Sequence, residues 1–139
     1  MYSLKSRFFW VFAGYVAIFI LLYYSLLPHI VTLSQAVESI RAHFLAFIPQ
    51  DKFYHLVAYF FLMGWFSQIY RKKNHWKPAF FLLLFGIGVE FLQRGVGGRQ
   101  ADVSDVLANL SGILFAWGLA RTQFAYMLVL TERRFRILF

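Results

Sequence analysis

Four runs of 16 to 20 residues, at 8–27, 53–70, 78–93 and 103–120, hold almost no charge beyond Glu90 and Asp105 and are each flanked by charged residues. At 1.5 Å per residue, about 20 apolar residues cross the roughly 30 Å hydrocarbon core of a bilayer. A chain of 139 residues therefore has room for four such helices and short connections, and none for a separate soluble unit. One all-helical, four-span membrane domain over residues 1–139 is the expectation. Composition agrees, since 60% hydrophobic and 14% charged residues depart from the roughly 45–50% and 25% of soluble domains. The first run follows Lys5 and Arg7 and no small-residue cleavage site follows it, so it reads as a retained span and not a signal peptide. The absence of cysteine removes disulfides, thiolate metal sites and cysteine nucleophiles together.

The net charge of +8 would suit nucleic acid on a soluble fold, but here the cations fall between the apolar runs. Lys5, Arg7, Arg71, Lys72, Lys73, Lys77, Arg121, Arg133, Arg134 and Arg136 alternate in the order that puts them on one side of a four-span protein. Arg41, Lys52, Arg94 and Arg99 fall on the other. The side richer in lysine and arginine is cytoplasmic. Both termini are thus expected inside, with residues 28–52 and 94–102 outside, membrane lipids as partners and nucleic acid not.

Two further segments read as surface helices. Between Pro28 and Pro49, Ile30, Leu33, Val37, Ile40, Phe44 and Phe47 form an apolar stripe opposite Ser34, Glu38, Ser39 and Arg41, which fits an external amphipathic helix in the interface. The tail from Gln123 holds only seven consecutive apolar residues before its arginines, too few to cross. It reads as a short cytoplasmic amphipathic helix.

Polar side chains inside spans are costly and normally face the bundle interior. Counted from the cytoplasmic flanks, His55, Gln93 and Asp105 lie about 24 Å up, and Tyr59, Asn109 and Glu90 about 18 to 20 Å up. Asp51, His55 and Tyr59 share one helix face, as do Glu90 with Gln93, and Asp102 with Asp105, Asn109 and Gly112. Gly86, Gly88, Gly112 and Gly118 are expected to let helices approach closely. The layers describe a polar pocket opening on the outer face, in which Glu90 is expected to pair with Arg99, or with Lys52. Asp51 and Asp102 also read as helix caps, and Asp105 as the second member of a capping box. One histidine with two acids is a poor zinc set and no HExxH motif occurs, so no metal and no cofactor are expected. A structural or ligand-holding network is the first reading, with catalysis and metal binding as alternatives. His29, His43 and His75 read as surface residues.

The segments DKFYHLVAYFFLMG at 51–64 and EFLQRGVGGRQADVSDVLANLSG at 90–112 resemble the VanZ-like membrane family, whose prototype accompanies glycopeptide resistance and lowers susceptibility to teicoplanin. Matched one residue at a time, the resemblance falls on Asp51, Lys52, His55, Tyr59, Glu90, Gln93, Arg99, Asp105, Asn109 and Gly112. The proline usual before the Gly-Arg turn is missing, since Gly97 and Gly98 precede Arg99. The resemblance implies a multi-pass protein of the bacterial cytoplasmic membrane that binds or shields an anionic envelope component, such as a lipid-linked cell-wall precursor. The rival is a membrane-embedded transferase or hydrolase acting on a lipid-linked substrate. Proton or ion passage is disfavoured, because no polar residue continues the pocket towards the cytoplasm on the second and fourth spans.

Overall fold

The turn signals divide the chain where composition changes. The structure, a computed structural model, describes residues 7–26, 39, 42–43, 49–97 and 102–138, and all its regular elements are helical. They are α1 (Arg7–Leu26), α2 (Gln50–Ile69), α3 (Trp76–Gly97), α4 (Val103–Leu119) and α5 (Met127–Leu138), with 3-10 turns at Lys72–Asn74 and Gln123–Tyr126. Two stretches, Arg7–Ser25 and Lys72–Gln93, are long and apolar enough to cross a membrane, and Val103–Leu119 is apolar but shorter. The external helix expected between Pro28 and Pro49 lies outside the described residues, apart from Ser39, Ala42 and His43.

α2 begins behind Pro49, whose carbonyl accepts from the Phe53 amide at 3.0 Å. No side chain caps this end. Asp51, expected as the cap, instead sits inside the first turn and pairs with Lys52, because the helix starts one residue ahead of it. Asp102 does cap α4, accepting from the Ser104 amide at 2.8 Å. Pro78 falls in the first turn of α3, where its missing N–H leaves no bond unmade.

α2 is the central helix, touching α1, α3, α4 and α5. Its tightest partner is α4. A Cβ placed on Gly112 would strike the carbonyl oxygen of Leu56 and come within 2.9 Å of the Phe60 nitrogen, so the two backbones meet in a way only glycine allows. Gly86 does the same for α3, since a Cβ there would lie 2.8 Å from Asn109 Nδ2 and 3.0 Å from the Tyr59 hydroxyl. Gly88 and Gly118 meet nothing within 4 Å and take no part in close packing. Tyr59, Leu62, Met63, Phe66, Leu82, Ile113 and Ala116 fill the core between these helices. α1 adds Gly14 and Ile18 as buried residues and turns Phe8, Phe12, Phe19 and Tyr23 outward.

α5 is docked on the bundle and is not a free surface helix. Leu128 and Val129 are buried, the Leu128 amide donates to Gln68 Oε1 at 2.9 Å, and Trp10 Nε1 donates to Glu132 Oε1 at 2.7 Å. Lys72 Nζ meets the carbonyls of Arg121 and Thr122 at 2.8 and 3.4 Å, tying the turn after α2 to the end of α4. His75, expected at the surface, is only 1% exposed. The 3-10 turn folds its ring back so that Nε2 donates to the Tyr70 carbonyl at 3.1 Å. The basic segment 71–77 and the end of α4 thus share one end of the bundle, and Asp51, Glu90, Asp102 and Asp105 lie towards the opposite end.

Candidate polar site at the acidic end of the bundle

The first turn of α2 and the first turn of α4 lie side by side because Gly112 lets the two helices close. Lys52 bridges them. Its Nζ lies 2.9 Å from Asp51 Oδ2 and 2.7 Å from Asp102 Oδ2, and it pairs with Asp105 Oδ1 as well. Its side chain is 15% exposed. Burial works against the ammonium, but the carboxylates of Asp102, Asp105 and Asp51 outweigh it and hold the lysine pKa above its ordinary value. The bonds from Lys52 and Ser104 hold the Asp102 carboxyl below the usual carboxylate range.

One turn deeper, His55 faces α3 and α4 together. Its Nδ1 lies 3.0 Å from Asn109 Oδ1, and a carbonyl oxygen can only accept, so Nδ1 is the donor in this bond and Nε2 is the nitrogen left facing the carboxylates. Nε2 is 3.9 Å from Glu90 Oε1 and 3.9 Å from Asp105 Oδ2. Asp105 therefore uses one oxygen on Lys52 and turns the other inward, and does not fold back as the second half of a capping box. Glu90 is 4% exposed and Asn109 1%, and neither Glu90 Oε1 nor Asn109 Nδ2 has a hydrogen-bond partner among the described residues. Tyr59, 2% exposed, closes the floor with its hydroxyl beside Gly86.

Of the candidates, Asp51, Lys52, His55, Glu90, Asp105 and Asn109 thus come together, with Tyr59 beneath them. Gln93 turns away, its Nε2 donating 2.8 Å to the Ser25 carbonyl and anchoring α3 to the end of α1. Arg99, the expected partner of Glu90, lies outside the described residues. Among the described residues the cation that gathers the carboxylates is Lys52, and it serves the three aspartates. The role of Gly86 in bringing Tyr59 and Asn109 together was not separable in sequence from that of Gly88, two residues on. A helical phase counted from Glu90 distinguishes them, since Gly86 precedes it by four and shares its face.

Chemically the cluster unites an imidazole lone pair, four carboxylates and one lysine at the mouth of an apolar bundle. No curated protein and no solved structure matches the chain. The model of the VanZ/LLP1 family matches residues 9–128, from the first turn of α1 into α5 and across every helix that supplies the cluster, and the chain belongs to that family.

Proposed function

We propose that this chain is a four-span protein of the bacterial cytoplasmic membrane, with both termini in the cytoplasm, whose polar cluster faces outward and binds or shields an anionic envelope component. A lipid-linked cell-wall precursor is the preferred candidate, and a change in teicoplanin susceptibility is the physiological consequence expected of occupying it. The observation that carries the reading is the placement of the cluster. Side chains from α2, α3 and α4 converge at the end of the bundle opposite Arg71–Lys77 and Arg121, which the excess of positive charge assigns to the cytoplasm. Family membership supports it. Lys52 is surrounded by carboxylates, so the positive charge that meets an anionic headgroup comes from the loop bearing Arg99 or from a cation held in the cluster.

Native mass spectrometry of the chain released from membranes in mild detergent tests the reading. A retained anionic lipid or lipid-linked pyrophosphate, reduced several-fold in Arg99→Gln, is the expected result. A chain that emerges without lipid, or with lipids in proportion to the bulk membrane, overturns it.

A second reading, a transferase or hydrolase acting on a lipid-linked substrate, is favoured by one observation. His55 Nε2 and the buried Glu90 Oε1 face each other across 3.9 Å, a gap at which an imidazole and a carboxyl group can act together on the protons of a bound substrate. Turnover of a lipid-linked substrate that disappears in folded Glu90→Gln protein would put this reading in place of the first.

A further inference from the structure

The deepest part of the cluster has a property that anion recognition does not use. His55 from α2, Glu90 from α3 and Asp105 from α4 each direct a lone-pair atom at one point, and these atoms all lie within 4.8 Å of one another. The 3.9 Å separations from Nε2 to either carboxylate are too long for hydrogen bonds. Glu90 Oε1 is buried and, among the described residues, without a hydrogen-bond partner although it is aimed into this convergence. The Asp102 backbone amide, His55 and Lys52 serve this carboxylate in part, but Oε1 itself has no donor among the described residues, and burying an unserved polar atom is costly.

We propose that His55, Glu90 and Asp105 bind a divalent metal ion. Each ligand is already oriented. Asn109 Oδ1 accepts the Nδ1 proton of His55 at 3.0 Å, which fixes the tautomer with Nε2 free to coordinate, as carbonyl and carboxylate partners do for metal-bound histidines. Lys52 takes Asp105 Oδ1 and leaves Oδ2 facing inward. Ligand atoms around a tetrahedral ion stand about 3.4 Å apart, so the three side chains close on an ion by shifts of under about 1 Å. One imidazole and two carboxylates, with no cysteine in the chain, select a borderline or hard ion. Zinc binds such a set more tightly than manganese, and manganese more tightly than magnesium. The His55 and Asp105 side chains are 18% and 14% exposed, so the remaining coordination position opens to the outer face, where water or an anionic oxygen completes the shell. The ion also offsets the excess of acidic charge around Lys52. This site goes beyond the proposed recognition of an envelope component and stands without it.

The test uses the full chain, free of any purification tag, purified in detergent, stripped with a chelator and then loaded with zinc, manganese or magnesium chloride alone. After desalting, elemental analysis is expected to find one zinc per chain. His55→Gln and Glu90→Gln should each weaken zinc binding at least tenfold, whereas His43→Gln, outside the cluster, should leave it unchanged. X-ray absorption at the zinc edge of the unmodified chain, which needs no variant to fold, should show one imidazole and otherwise oxygen neighbours. Failure to retain any of the three ions overturns the proposal, as does a zinc shell with two or more imidazoles. Unchanged zinc affinity in folded His55→Gln protein does so too. Because the ions are presented without lipid, a failure here leaves the lipid-retention result standing, and the reverse holds equally.

Discussion

Lys52 has three carboxylates and no other cation among the described residues of the cluster to share them with. Lys52→Met should cost about 1–3 kcal/mol in detergent, between an exposed pair and a fully buried one, since Asp51 and Asp102 are about half exposed while Asp105 is 14% exposed. The effect should depend on pH in a definite direction. The raised lysine contributes in full below its ordinary value of 10.5 and loses that contribution as pH rises through its folded value. The lowered Asp102 contributes in full above 3.8 and loses its contribution as pH falls through its folded value. Melting temperatures of parent and Lys52→Met should therefore differ most between about pH 4 and 10 and converge beyond both limits. A difference constant from pH 3 to 11 would show that the lysine acts by packing alone. At this scale helical spacing, which fixes depth and face, disclosed that Asp51, Lys52, His55, Glu90, Asp105 and Asn109 lie near one another, but not that Gln93 turns to Ser25. It did not disclose which atoms pair. That Asp105 splits its two oxygens between Lys52 and the His55 side depends on the separation of α2 and α4, which Gly112 sets across 56 residues of chain.

Helix contacts in this chain are set by small residues at particular phases, because in lipid no hydrophobic force draws one apolar helix to another. Gly112→Ala should be severely destabilising, at the upper end of the roughly 1–3 kcal/mol typical of overpacking, since its Cβ meets main-chain atoms that cannot rotate aside. Gly118→Ala and Gly88→Ala, which meet nothing, should be neutral or slightly stabilising through the better helix propensity of alanine. Thermal unfolding of the three variants side by side decides it, and equal effects would refute the assigned α2–α4 contact. The sequence identified all four glycines as candidates for close approach, and although helical phase from Glu90 favours Gly86 over Gly88, it is the packed neighbours that show which of the four make close contacts. Helix ends were legible to within a few residues. His75 was misjudged because a 3-10 turn, short and without periodicity, decides its direction.

For the whole molecule, the basic and acidic ends make the orientation testable. The chain lacks cysteine, so single thiols can be introduced without a background. Lys73→Cys should react with an impermeant maleimide only after the cytoplasmic face is opened, and Ser39→Cys should react in intact cells. A thiol at residue 73 that labels from outside would reverse the proposed topology. The all-helical bundle was legible because apolar runs broken by charged turns admit few alternatives, and two of its stretches are long and apolar enough to cross a membrane. The docking of α5 was not, because its contacts are single bonds from Gln68 and Glu132 to partners 60 and 122 residues away.

The uneven apolarity of the helices bears on how the chain enters the membrane. α2 carries Asp51, Lys52 and His55 of the cluster and is not among the helices that pass as spans by length and apolarity, yet it lies at the centre of the fold. During synthesis it leaves the ribosome before the surface of α4 that accommodates it, and a helix with buried ionisable groups partitions poorly into lipid alone. α2 is therefore expected to wait in the insertion machinery until α4 arrives. Gly112 then acts in biogenesis as well as in stability, as the residue that lets a reluctant segment leave the channel with its partner.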